Sequence, residues 1–250
     1  MSGHSHWATI KHKKGATDAK RGKMWSKLSR AIIIAARNGG GDPNMNLKLR
    51  YAIDKARSVS MPKDNIERAI KRGTGETEGL IFEEITYEGY GPGGVAILVE
   101  VVTDNRNRTA GEIRKIFERA GGKMGSAGCV AYMFERKGLI GINAADTSED
   151  ALMAIALDAG ADDMQSSGTH FDITCDPAAF PQVKEAITKN GLTPVMAEIS
   201  QVPKVPVDTD AETAQKVMRI MEALDDHDDA QNVYSNINLT EEVLAAASRE

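Results

Sequence analysis

Lys11, His12, Lys13 and Lys14 form one run, and Lys20, Arg21, Lys23, Lys27 and Arg30 follow at intervals of one to four residues. Cations at this density neutralise phosphate groups whatever the base sequence, and Trp7 and Trp25 are interleaved where rings can stack on bases or sugars. Residues 1–80 hold 17 Lys and Arg against 7 Asp and Glu, a net of +10, whereas the other 170 residues hold 14 against 29, a net of −15. The total of −5 conceals this split. Such asymmetry implies a nucleic-acid partner for the N-terminal part. The acidic remainder would repel a second phosphate surface, which leaves a protein partner as the alternative there. The plain alternative for the basic segment is a solvated tail before an amphipathic helix. Trp25 reads as core, and Trp7 reads either way.

Arg106 and Arg108 alternate with Asn105 and Asn107 in the run TDNRNRT from Thr103. Two guanidinium forks and two amides on a short loop suit phosphate or base edges, and equally a loop satisfying its own turn and the next helix cap. Arg68, Lys71 and Arg72 fall in the last turn of a helix, where cations complement the helix dipole whatever the function. Gly89, Gly91 and Gly94 satisfy G-x-G-x-x-G, but the apolar run Val95 to Val102 follows them instead of a helix N-terminus, so a hairpin loop explains the glycines better than a dinucleotide site. Tyr87 and Tyr90 beside that loop are expected to pack on the hairpin.

No catalytic or metal constellation emerges. His170, Asp172 and Cys175 are close in sequence, yet strand alternation places His170 and Asp172 on one face and Cys175 on the other. Asp225, Asp226, His227, Asp228 and Asp229 lack the alternating ligands and turn glycine of a calcium loop and read as solvated charge. His4, His6 and His12 have neither cysteine nor carboxylate beside them to complete a metal site. Cys129 and Cys175 form no CxxC, so neither a disulfide framework nor zinc is expected. The reading is therefore non-enzymatic, without cofactor or metal.

These residues are positioned by elements that periodicity predicts. A helix over 18–38 carries Trp25, Leu28, Ile32 and Ala35 on one face, with Lys20, Lys23, Lys27, Arg30 and Arg37 roughly opposite and Ile34 interrupting that stripe. Helices over 45–59 and from Pro62 to about 75 follow, with Leu49, Ala52, Ile53, Ala56, Ile66, Ala69 and Ile70 inward. Residues 1–78 thus form a basic arm plus a helical domain. Strands over 81–87 and 95–102 bracket the Gly/Pro loop. A helix over 109–120 is expected with Thr109 and Glu112 as its capping box, and a strand over 130–134 after it. Residues 137–204 hold strands over 139–142, 171–175 and 195–202 and helices over 148–159 and 177–190. A helix over 210–224 and a strand over 230–235 would then complete the sheet begun before residue 136. The fold class is α+β, a helical N-terminal domain followed by two α+β, ferredoxin-like domains. On this count of elements, 137–204 is an insertion between the two pieces 79–136 and 205–250 of one domain.

No signal peptide and no apolar stretch of membrane-spanning length occurs, so no membrane association is expected and a cytoplasmic location is.

GHSHWATIKHKK from Gly3, DAKRGKMWSKLSR from Asp18, AARNGGGDP from Ala35, MPKDNIERAIKRGTG from Met61, YEGYGPGGVA from Tyr87, TDNRNRT from Thr103 and LDDHDDAQNVYSN from Leu224 closely resemble the YebC/PmpR family, in the family's order and over nearly the whole chain. Departures are mild: His6 and Thr9 stand where lysine and asparagine are commoner, and Trp25 where phenylalanine is usual. The resemblance implies three domains, the third inserted in the second, and no catalytic residue or cofactor. It implies a probable DNA-binding transcriptional regulator. Mitochondrial relatives are translational activators, and bacterial members have been linked to stalled ribosomes, so the alternatives are ribosomal RNA as the ligand in a translation factor, or a protein-interaction module. Since the family motif begins at the very N-terminus, no organellar transit peptide is expected, and a bacterial origin is. Backbone contacts by Lys and Arg serve DNA and RNA alike, and no helix-turn-helix with a clear recognition helix emerges.

Overall fold

The computed structural model of the protein describes residues 18–79, 81–166, 169–240 and 243, with the side chains of residues 18–21 outside that description. It opens with three helices, α1 (Asp18–Gly39), α2 (Leu47–Ser58) and α3 (Lys63–Gly73). Asn46 joins the first two. Its Oδ1 caps α2 by accepting from the Leu49 N–H at 3.0 Å, while its amide donates to the Ala35 and Gly40 carbonyls at 2.8 Å each. The end of one helix and the start of the next are thereby satisfied by a single buried side chain.

The helices share a core of Leu28, Ile32, Leu49, Ile53, Ile66 and their neighbours, which Phe82 and Val102 enter from the following part of the chain. Residues Ile32 to Ala36 are all buried. Five consecutive buried residues go right round a helix, so α1 is amphipathic in its first half and enclosed in its second. The basic stripe accordingly stops at Arg30, and Arg37 is exposed at the far end.

Two four-stranded antiparallel sheets follow, so the class is α+β. The first comprises β1 (Glu83–Tyr90), β2 (Ala96–Thr103), the short β3 (Lys123–Met124) and β8 (Ala230–Ser235), in the order β3-β1-β2-β8. Helices α4 (Arg106–Arg119) and α7 (Ala211–Asp225) cover one face, where Ile97, Val99 and Val101 meet Ile113, Phe117, Val217, Ile220 and Leu224. The second sheet comprises β4 (Phe134–Asn143), β5 (Ala161–Ser166), β6 (His170–Cys175) and β7 (Met196–Pro203), ordered β5-β6-β4-β7. With α5 (Glu149–Asp158) and α6 (Phe180–Lys189) it forms a ferredoxin-like βαββαβ unit. The chain leaves the first sheet after β3, builds the second, and returns to the first through α7 and β8.

Gly89 and Tyr90 of the GYGPGG segment end β1 and Gly91 to Gly94 form the β1–β2 loop, with positive φ at Gly93 and Gly94, which leads into a strand. Tyr87 and Tyr90 pack as hairpin residues, donating their hydroxyls to the carbonyls of Arg106 at 3.3 Å and Cys129 at 2.9 Å. Four features differ from the sequence reading. Helix α4 begins three residues early, capped by Asn105, whose side chain accepts from the Arg108 N–H at 3.1 Å. Thr109 lies inside the helix. In the 130–134 segment Ala131–Met133 form a short 3-10 turn and only Phe134 is in a strand, as the first residue of β4, because the Glu88 carboxylate claims the N–H groups of Val130 and Ala131 at 2.7 and 2.8 Å that a ladder would need. Strand β5, whose ADDMQS sequence has no β-branched residue, forms by pairing along β6. Pro62 is the N-cap of α3 and not its first-turn residue.

Candidate nucleic-acid interface

The basic half of α1 lies against the C-terminal end of α7. Lys23 Nζ donates to the Asp226 carbonyl and pairs with Asp228 Oδ1 at 3.1 Å, and Lys27 Nζ donates to the Asp225 carbonyl. Arg30 Nη1 reaches both the Asp228 carbonyl at 2.6 Å and Asp229 Oδ1 at 2.9 Å. Helix α7 has no basic residue in its own last turn. Its terminal carbonyls carry the negative end of the helix dipole, and α1 supplies the cations that answer it.

Asp229 is the buried centre of this contact, 2% exposed. Its Oδ2 accepts from Arg108 Nη2 at 2.8 Å, Thr109 Oγ1 at 2.7 Å and Thr103 Oγ1 at 3.0 Å, while Oδ1 takes Arg30. Burial alone would raise its pKa. The bonds from Thr109, Arg108 and Thr103 and the Arg30 charge outweigh burial and hold the carboxyl below the usual aspartate range. Beside it, His227 Nδ1 accepts from the Asp229 N–H at 3.2 Å, which leaves the proton on Nε2 to be donated to Glu112 Oε2 at 2.9 Å. Elements α1, α4, α7 and β8 are thus tied at one point.

Residues 5–76 match the model of the TACO1/YebC protein N-terminal domain, and residues 82–237 match the model of the TACO1/YebC second and third domains. The chain belongs to the TACO1/YebC family. This YebC-family protein is 54% identical over 244 residues, 98% of each chain, to a probable transcriptional regulatory protein of Geobacter sulfurreducens. It is 53% identical over 249 residues to one of Dictyoglomus turgidum, covering 99% of this chain and 100% of the relative. A crystal structure of a conserved hypothetical protein from Aquifex aeolicus shares the fold with a TM-score of 0.84 at 49% identity, covering 96% of this chain and 99% of that one. At family level the relatives are named probable transcriptional regulatory proteins.

In the YebC-family chain the residues read from sequence as nucleic-acid contacts separate into three groups. Lys11, His12, Lys13 and Lys14 lie outside the described residues, and for Lys20 and Arg21 the backbone alone is described. Lys23, Lys27 and Arg30 are brought together on the α7 terminus. Arg106 and Arg108 stand in the first turn of α4, not on a loop; Arg106 is exposed, whereas Arg108 is bonded to Asp229 and to Asp104 at 3.1 Å. Trp25 packs against the helical core and donates its indole N–H to the Val59 carbonyl at 3.3 Å. The guanidinium of Arg72 lies over the Phe82 ring at 5.5 Å, and that of Arg30 over the same ring at 5.8 Å.

The acidic run, read as solvated charge, differs at Asp229. Nothing in the spacing of DDHDD distinguishes the buried aspartate from the exposed Asp226 and Asp228. Thr103, Thr109, Glu112 and His227 were likewise invisible as partners, because each acts through a residue distant in sequence. Among the described residues no group of His, Cys, Asp and Glu is placed to hold a metal ion, and no helix is long and apolar enough to cross a membrane.

Proposed function

We propose that this YebC-family protein is a non-enzymatic, nucleic-acid-binding regulator of gene expression that acts in the cytoplasm, with DNA as the ligand and the basic N-terminal segment as the main contact. The observation that carries the reading is the excess of +10 over residues 1–80 in a chain of net −5. Clustered Lys and Arg release counterions from a phosphate backbone, which makes affinity large and salt-dependent. The row Lys23, Lys27 and Arg30 supports it, since these cations already converge on a set of oxygen acceptors. DNA is chosen over RNA because the named relatives are transcriptional regulators.

The test replaces Lys11, Lys13, Lys14 and Lys20 with Ala, leaving Lys23 and Lys27 to hold α7. Each lost phosphate contact should lower the slope of log K against log salt by about 0.9 on duplex DNA. A folded variant with unchanged affinity and slope overturns the assignment of the segment. Crosslinking in cells followed by sequencing of the bound nucleic acid tests the ligand. Promoter DNA is the expected recovery, and ribosomal RNA would move the regulator from transcription to translation.

A further inference from the structure

We propose that the acidic end of α7 is a built-in competitor for the phosphate-binding face of α1, so that the free protein holds part of that face occupied. This rests on the reading of α1 as a nucleic-acid contact. The acceptors facing Lys23, Lys27 and Arg30 are carbonyl and carboxylate oxygens of Asp225, Asp226, Asp228 and Asp229, the same acceptor chemistry that a phosphate would offer. A cation cannot satisfy both this cluster and a phosphate with the same N–H groups. Binding through these residues therefore first breaks their contacts with the end of α7.

The contact is built to be released. When Arg30 leaves, Asp229 keeps Arg108, Thr103 and Thr109, so no buried carboxylate is stranded. The Lys23–Asp228 pair is solvent-exposed, with side-chain exposures of 37% and 72%, and such pairs are weak. Trp25, Leu28 and Ile32 pack α1 into the helical core from the opposite side of the helix, so the side chains of Lys23, Lys27 and Arg30 can change partners without opening that core.

The experiment replaces Asp225, Asp226 and Asp228 with Asn, which keeps the main-chain carbonyls but removes the three negative charges around them and the Lys23–Asp228 ion pair, leaving His227 and Asp229 in place. A control of equal charge, D146N/E149Q/D150N, alters exposed acids at the start of α5. Binding of a short mixed-sequence DNA duplex and of a single-stranded RNA is measured across a salt series, with folding checked by thermal melting. If the triple variant melts early, D228N alone serves. We expect the α7 variant to bind about three- to ten-fold more tightly than wild type, a gain of the size that a few weak ion pairs would confer. It should also show a steeper salt slope, because in the wild type the Asp228 carboxylate freed by the nucleic acid takes a counterion back up. The control should change much less. An α7 variant that binds like wild type or like the control overturns the competitor while leaving the proposed function intact, whereas failure of every protein to bind either probe overturns both.

Discussion

Arg30 and Asp229 lie 199 residues apart in sequence and meet at 2.9 Å. Arg108, from the first turn of α4, holds the other oxygen of the same carboxylate at 2.8 Å. One buried charge is therefore shared by the helical region and by the sheet region, and the Asp229 carbonyl also accepts from the Val102 N–H at 2.9 Å in the middle of the join. Removing either arginine leaves the carboxylate with a cation; removing the carboxylate's charge leaves two cations facing each other across the site with no anion between them.

Asp229→Asn should accordingly cost about 3 kcal/mol of unfolding free energy, the usual effect of breaking one side of a buried charge network. Urea unfolding at neutral pH measures it. The pH dependence has a definite sign: the folded pKa is below the unfolded value of about 3.9, so the stabilisation is present above pH ~4 and is lost as pH falls through the folded pKa. The variant should lack this acid-induced loss, and an acid limb identical to wild type would assign it elsewhere.

Asp172 should behave in the opposite sense. It is 5% exposed, neither oxygen has a hydrogen-bond partner among the described residues, and His170 Nε2 stands 3.8 Å away, beyond hydrogen-bond reach. Burial pushes its carboxyl up to about 7. The folded protein then keeps a proton that the unfolded chain has released, so its stability from this group is full below pH ~4 and declines as pH rises to about 7. Asp172→Asn should be more stable than wild type at pH 8 by at least about 1 kcal/mol and should flatten the pH profile. Equal melting temperatures at pH 5 and pH 8 in wild type would contradict this.

Glu88 is a third buried carboxylate, and it staples a loop. Its oxygens accept from the N–H groups of Gly128, Val130 and Ala131 at 2.6, 2.7 and 2.8 Å. Burial favours the neutral acid, but the three bonds prevail and hold the pKa below its ordinary value. Glu88→Gln turns an amide N–H toward a backbone donor and should cost about 1–3 kcal/mol. Hydrogen exchange should quicken at Val130 and Ala131 before it does elsewhere; equal protection of the whole first sheet would argue against the staple.

Gly73 ends α3 where it touches α1. A Cβ there would sit 2.5 Å from the Ile33 carbonyl oxygen and 2.7 Å from Ala36 Cβ. Gly73→Ala gains up to about 1 kcal/mol of helix propensity but must push the two helices apart, and overpacking of this kind costs about 1–3 kcal/mol. A net loss of stability on thermal unfolding is expected, and a more stable variant would show that α1 and α3 part easily.

The three helices, the β1–β2 hairpin, α7 and β8 are legible in the sequence because each rests on local signals: apolar residues at helical spacing, β-branched runs, and glycines where the chain turns. The family motifs and the charge split are equally local, and the motifs suffice to place the chain in a family whose named relatives are probable transcriptional regulatory proteins. Tertiary structure decided what depends on competition between distant groups. Thr109 has the spacing of a cap, yet Asp229 takes its hydroxyl and Asn105 caps α4 instead. The 130–134 segment has strand composition, yet Glu88 takes its N–H groups. Asp225 to Asp229 look alike as a string, yet one is buried among two arginines and two threonines while its neighbours stay near the surface and receive α1. A charge's neighbours in the sequence do not specify its partner, because Coulomb and hydrogen-bond energies act over a few ångströms of space and the fold alone determines which residues come that close.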